Sequence, residues 1–204
     1  MNKGQIRTHF IALLNRTDCT NALADTFIDM AMGRIMRTLR IPSMEKQQTY
    51  AVSTASGITS VVLPDDLLET IDIFFEGRGL VRVPRHEMVE YQRQGTLGSP
   101  VYFTREQGTF LLYPMPTSGT VYINYYAELP ALSADSESNL LTILASDAIA
   151  YTALGYAADY FLDERGQMFD AKGSLFVQEI QDQADKAESS GGTQVMRPTG
   201  TFSD

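Results

Sequence analysis

The spacing of apolar residues changes period twice along this chain, and that double change limits the fold more than any single motif. Over the first 46 residues apolar side chains recur at threes and fours, which places them on one face of a helix turning every 3.6 residues. Ile6, Phe10, Leu13 and Leu14 form one stripe; Leu23, Phe27, Met30, Ala31, Ile35 and Leu39 form a second. Ile28 and Met32 widen the second face, so that helix should touch neighbours on more than one side. Asn15 to Thr20 is polar and turn-prone, and Thr20 or Asn21 is placed to cap the second helix. Pro42 is expected to stop that helix, because proline lacks the amide donor and restricts Ile41.

From about Lys46 the period shortens to two. Tyr50, Val52, Ile58, Val61 and Leu63 lie in short β-prone runs, and Ala55-Ser56-Gly57 between them reads as a hairpin turn. Leu63-Pro64-Asp65-Asp66-Leu67-Leu68 reads as a proline followed by an acidic first helical turn, where the helix dipole favours carboxylates. Ile71, Ile73 and Phe75 then alternate with Asp72 and Phe74, and Glu76-Gly77-Arg78-Gly79 turns the chain into Leu80 to Val83. Pro84 opens a short helix to about Gln94, and Gly95 to Pro100 is loop. Val101–Arg105, Thr109–Tyr113 and Thr120–Glu128 complete an expected antiparallel sheet or small sandwich over roughly residues 47–130.

Helical spacing returns after Ser133. Ser138 or Asn139 is placed to cap one long stripe of Leu140, Leu144, Ala148, Tyr151, Leu154, Ala158 and Phe161. Its many alanines keep the surface thin, which permits close helix approach. A further helix runs from about Arg165 to Glu188, and Ser189-Ser190-Gly191-Gly192 ends regular structure. The expected fold is therefore α+β: a helical bundle formed by N-terminal helices (1–46) and C-terminal helices (133–188). An inserted antiparallel β domain (47–132) lies between them in sequence, and an extended C-terminal tail (189–204) comes last. Short connections on each side of the insert favour a four-helix body built from both ends.

The residues offer little for catalysis. His9 and His86 stand apart with no acid or cysteine at ligand spacing, so no metal or other cofactor is expected. Gly77-Arg78-Gly79 fits a turn better than a phosphate cradle. Asp65-Asp66 suits a helix start better than an acid/base pair. Cys19 is the only cysteine, which excludes an internal disulfide and fits a reduced thiol. Asn15-Arg16-Thr17 matches a glycosylation acceptor that a cytoplasmic chain would not present to that machinery. Tyr102, Tyr113, Tyr122, Tyr125 and Tyr126 suit sheet faces better than a base-stacking platform, because no basic groove surrounds them. No secretory leader or membrane span is legible, so a soluble cytoplasmic protein, not an enzyme, is expected.

Charge is more informative. The chain carries a formal charge of −9, which disfavours wholesale binding to nucleic acid. Residues 1–46 have seven basic and four acidic side chains, a balance of +3; residues 47–137 and 138–204 each carry −6. Arg34, Arg37 and Arg40, with Lys46, make the end of the second helix basic. Asp182 and Asp185 belong to an acidic last helical region. Such a distribution suits a head-to-tail contact between identical copies.

The order of these signatures resembles the head-to-tail adaptor (connector) proteins of tailed bacteriophages. The pieces that carry the resemblance are Met36-Arg37-Thr38-Leu39-Arg40-Ile41-Pro42-Ser43-Met44-Glu45, Leu63 to Glu69, Gly98-Ser99-Pro100-Val101-Tyr102-Phe103 and Leu112-Tyr113-Pro114-Met115-Pro116. Tyr125 to Ser133 and the alanine-rich helix ending Asp159-Tyr160-Phe161 complete them. The resemblance implies a virion protein of the neck region, assembled in the host cytoplasm. Identical subunits would form a ring, usually a dodecamer, beneath the portal protein. The ring would extend the DNA channel, pass genomic DNA without specific binding, and attach tail or nozzle proteins away from any membrane. It also implies that the tail reaches the portal, with Val195, Met196, Arg197, Pro198 and Phe202 as its anchors. Two other readings stay open: a tail-tube or minor tail subunit, and a small DNA-binding regulator using the basic helix pair. The latter is weakened by the apolar character of Leu23 to Leu39.

Overall fold

The computed structural model describes residues 1–54 and 60–189 and is α+β. Two compact units divide it: Met1–Pro42 with the described part of Ala131–Asp204, and Ser43–Pro130.

The helical unit contains α1 (Lys3–Leu14), α2 (Asn21–Thr38), the short α4 (Leu140–Leu144), α5 (Ser146–Phe161) and α6 (Gly166–Ser189). Asn2 Oδ1 accepts from the Gln5 amide, and the Asn2 amide donates to Gln5 Oε1, a capping box that satisfies two otherwise orphaned donors. Thr20 caps α2 by accepting from the Leu23 amide. Ile6, Phe10 and Leu14 bury one face of α1, and α2 buries Ala24, Phe27, Ile28, Ala31, Met32 and Ile35. Helix α5 is the hub, packed against α1, α2 and α6. Ala148, Ala150, Ala153, Gly155, Ala157 and Ala158 are all buried there, so its neighbours approach close to its backbone.

Two helix boundaries differ from expectation. Helix α2 stops at Thr38, ahead of Pro42, which instead opens a 3-10 turn. The Arg40 amide donates to Gln181 Oε1 and Gln181 Nε2 donates to the Arg40 carbonyl, both at 2.8 Å. A side chain on α6 thus takes over the backbone groups just past the end of the helix. The long stripe expected from Leu140 is broken at Ala145 (φ −131°, ψ 35°). The Met1 amino group donates to the Thr142 carbonyl at 3.0 Å, occupying the acceptor that a continuous helix would offer to Ser146. Leu144 is consequently exposed, and Leu141 and Thr142 are buried instead.

The β unit is a sandwich. One sheet has the order β1-β8-β3-β4 and the other β2-β7-β6-β5. Its strands are β1 (Glu45–Ser53), β2 (Ser60–Val62), β3 (Leu67–Phe75), β4 (Arg78–Gly79), β5 (Val81–Arg82), β6 (Tyr102–Glu106), β7 (Thr109–Tyr113) and β8 (Ser118–Ala127). Strands β1 and β2 belong to different sheets, so they do not form the hairpin expected around Ala55-Ser56-Gly57; those three residues lie outside the described residues. The ladders are antiparallel except β5 on β6, which is parallel. Val52, Ile73, Val121 and Ile123 of one sheet meet Val61, Phe103, Phe110 and Leu112 of the other in a shared core. The alternation in β8 is clean: Val121, Ile123, Tyr125 and Ala127 are buried, whereas Tyr122, Asn124 and Tyr126 are half-buried on the other face. This separates the tyrosines, so they do not form one platform.

The acidic helical turn expected at Asp65-Asp66 is absent; these residues form a turn leading into β3. Long-range bonds override the local signal. Asp66 accepts from the Tyr125 hydroxyl at 2.8 Å and from Lys46 Nζ at 2.7 Å, and its carbonyl accepts from the Glu128 amide. Burial alone would raise the Asp66 carboxyl, but these two donors outweigh it and hold it below the usual range. Burial, reinforced by the bond to Asp66, pushes Tyr125 up to about 12. Tyr125→Phe is therefore expected to cost about 1–2 kcal/mol, the worth of a hydrogen bond to a charged acceptor at a partly exposed site. Asp66 has a depressed folded value, so its contribution is full above the unfolded carboxylate range and fades as pH falls below about 4. Tyr125 has a raised folded value, so its contribution fades only as pH climbs above about 10. Urea melts of Tyr125→Phe across acid and neutral pH check this; a loss that does not shrink in acid contradicts it.

Helix α3 (Arg85–Arg93) starts directly after Pro84, as expected, and packs against β6 and β7 of the second sheet. It sets Tyr91 between Tyr102 and Tyr113, with ring centroids 5.1 and 5.3 Å away and planes within 14° of parallel.

Candidate functional site

No metal-binding group of three or more His, Cys, Asp or Glu occurs among the described residues. No helix among them is long and apolar enough to cross a membrane. His9 is exposed on α1, and exposed His86 lies 3.9 Å from Glu87. Cys19 is buried, and that burial raises its thiol further from the thiolate. Asp66 is occupied by Tyr125 and Lys46. The features that remain are surfaces, and the most developed lies on the helical unit where α2, α5 and α6 meet.

Small residues create this meeting place. A Cβ built at Gly173 of α6 would lie 2.7 Å from Thr152 Oγ1 and 2.9 Å from the Thr152 amide nitrogen, so α5 and α6 touch almost backbone to backbone. Alongside, a cavity of about 320 Å³ is floored by Ile35, Leu39, Thr152 and Val177, with Arg34 and Asp182 at its polar edge. Arg34 reaches across to Asp170 at 2.5 Å, and that bond raises the guanidinium above its ordinary value. Asp185 accepts from Gln181 at 2.8 Å, the same glutamine that holds Arg40.

The five residues expected to mediate inter-subunit contact thus fall into distinct environments. Arg34, Arg40 and Asp185 all make bonds within the chain. Arg37 and Asp182 are exposed and have no hydrogen-bond or ion-pair partner among the described residues. Basic α2 and acidic α6 are neighbours in one chain, which the linear charge pattern did not convey. Val195, Met196, Arg197, Pro198 and Phe202 lie outside the described residues.

Sequence reasoning also missed a charged network at the other end of the unit. Lys3, although buried, donates to Asp29 at 3.0 Å and to the Leu132 carbonyl at 2.9 Å. Arg7 bridges Asp25 and Asp135, which lowers the Asp135 carboxyl through the direct hydrogen bond. These pairs clamp the returning segment at 132–135 onto α1. No local pattern marks that clamp, because its two sides are over a hundred residues apart.

Glycines within α5 and α6 are explained by close packing, but two positions on the helical unit go against local preference with no such reason. Leu162, at the turn between α5 and α6, has left-handed backbone (φ 54°, ψ 44°) and is 90% exposed; glycine is the residue that adopts this cap conformation without penalty. Gly33 sits in the interior of α2, where glycine costs about 1 kcal/mol relative to alanine. A Cβ there would meet nothing within 4 Å, so packing within the chain does not demand it.

The chain matches no curated protein. A family model described as SU10 adaptor protein matches residues 1–198, which takes in both units and almost the whole sequence. This chain belongs to the SU10 adaptor protein family.

Proposed function

We propose that copies of this chain assemble as a ring, a dodecamer by family resemblance, beneath the portal of a tailed phage. The ring extends the channel through which the genome passes and presents the surface to which tail or nozzle proteins attach. It sits in the virion neck after assembly in the host cytoplasm. The observation that carries this reading is the outer surface of the helical unit, which keeps unneutralised charge of both signs beside apolar side chains. Arg37 stands exposed on α2, while Met168 and Leu175 are about half-exposed on α6 beside exposed Glu179 and Asp182. Mixed surfaces of this kind suit contacts made conditionally, on a template, rather than permanent dimers. Net acidity also suits a channel wall, since like charge keeps passing DNA from adhering. In the same reading the C-terminal tail, with Val195, Met196, Arg197, Pro198 and Phe202, is captured as an extended strand by a groove or sheet edge on the portal.

The test is cryo-electron microscopy of the chain mixed with its phage's portal. The expected result is a ring on the portal, from a chain that alone is a monomer or weak oligomer. Truncation after Glu188 is expected to leave the melting curve unchanged and abolish docking. Arg34→Glu with Arg37→Glu is expected to weaken the ring more at low salt than at high, because exposed charges are screened within about 10 Å at moderate ionic strength. Arg34 also ties α2 to α6, so Arg37→Glu alone separates assembly from folding. A chain that ignores the portal overturns the proposal. One that instead polymerises unaided is a tail-tube subunit, and one that retards duplex DNA at moderate salt is a DNA-binding protein.

A further inference from the structure

We infer that the α5–α6 turn of one copy, centred on Leu162, seats in a notch at Gly33 on α2 of the next copy. This rests on the ring proposed above and names the contact that closes it. The two departures from local preference are opposite in kind. Leu162 places a branched apolar side chain where the backbone favours glycine, and leaves it 90% exposed. Gly33 places bare backbone where a helix favours alanine, facing open space. An exposed leucine alone means nothing. A strained one, projecting from a turn beside a tyrosine that is 63% exposed at position 160, is a knob that the isolated chain does not use. Its counterpart is shaped to receive it: Gly33 lies one helical turn from exposed Met30 and next to Met36 and Arg37 on the turn above. Methionines adapt to an inserted side chain, and the missing Cβ lets a partner approach the helix backbone.

Charge selects a second copy as the occupant. Exposed Asp159 and Glu164 flank the knob; Arg16 and Arg165 also lie at this tip, but they are paired with Asp18 and Asp163. Exposed Arg37 flanks the notch, and neither it nor Asp159 nor Glu164 has a hydrogen-bond or ion-pair partner among the described residues. A copy that gives its knob to one neighbour and its notch to another makes a heterologous contact, which closes into a ring; a two-fold pair would instead repeat the contact reciprocally, and a chain carrying both cysteines that stops at linked dimers would reveal it. The in-chain Arg34–Asp170 bond stays intact in this arrangement and leaves Arg37 to meet the acidic tip.

Cysteine pairing tests the inference directly. A chain with Gly33→Cys, mixed with a chain with Leu162→Cys and oxidised with diamide, is expected to give a disulfide-linked dimer, and a chain carrying both is expected to give a ladder of multimers. Each single variant alone is expected to give none, with buried Cys19 as the internal control. No linked dimer in the mixture, with portal present and with concentrated chain alone, overturns the inference, as does equal yield from Leu162→Cys alone. Independently, Leu162→Gly is expected to keep or raise the melting temperature, and Gly33→Leu is expected to stay folded. Each should raise the concentration needed to fill portal-bound rings on the order of tenfold or more; unchanged filling in both overturns the inference. If the unaltered chain forms no ring on portals, the proposed function fails, while the cross-link in concentrated chain still decides this contact.

Discussion

Gly173→Ala is expected to destabilise the helical unit by about 2–3 kcal/mol, the cost of overpacking a site with no room to relax. The added methyl would meet the Thr152 amide nitrogen and Cα as well as its hydroxyl. A hydroxyl can rotate away, but backbone cannot, so α6 must move off α5. That motion also stretches the Arg34–Asp170 and Arg40–Gln181 ties, which cross from α2 and its end to α6. Intrinsic helix propensity predicts the opposite sign, since alanine in mid-helix is favoured over glycine by about 1 kcal/mol. The measurement is a urea melt followed by far-ultraviolet circular dichroism. A midpoint at or above that of the unaltered chain shows that the close approach at Thr152 does not constrain the unit. Gly33→Ala, by contrast, should raise the midpoint, because its methyl meets open space.

Phe110→Ala is expected to cost about 3–5 kcal/mol, the range for emptying a buried phenylalanine site. Phe110 is 2% exposed, and its ring meets Phe103 edge to face at 5.6 Å. It also stands opposite Val61 in the β2–β7 ladder, so its loss loosens the short edge strand β2 as well as the shared core. Val62→Ala, one residue along on the exposed face, should change stability by less than about 0.5 kcal/mol. The chain has no tryptophan, so near-ultraviolet dichroism reports mainly tyrosines. The stacked Tyr91, Tyr102 and Tyr113 make that signal a probe of the β unit. A Phe110→Ala chain that keeps both this signal and its midpoint would show that the sandwich does not depend on its core aromatic.

The elements that sequence alone located are those whose cause is local. A period of 3.6 or 2 is written into neighbouring residues, so both amphipathic N-terminal helices and the strands at β3 and β8 were legible without any partner, although a bulge between Thr70 and Asp72 leaves Ile71 exposed instead of on the buried face of Ile73 and Phe75. Caps are local too: Thr20 and Asn139 bond amides three residues on, and both were among the candidates. The ordered run of short signatures sufficed to suggest the adaptor family. Tertiary structure decided whatever rests on partners distant in sequence. Asp66 sits in a turn instead of a helix because Lys46, Tyr125 and Glu128 hold it there. The stripe from Leu140 breaks at Ala145, and the Thr142 carbonyl just before the break accepts from the amino group of Met1, far away in sequence. Which strands share a sheet was equally hidden, since β1 and β2 are consecutive in sequence yet pair with β8 and β7. The candidate contact surface was half legible: its charge could be counted, but not the neutralisation of Arg34 by Asp170 nor the backbone conformation of Leu162. Periodicity and capping act within one or two turns of chain, whereas a bond between residues more than a hundred positions apart leaves no local trace and exists only once the fold has brought them together.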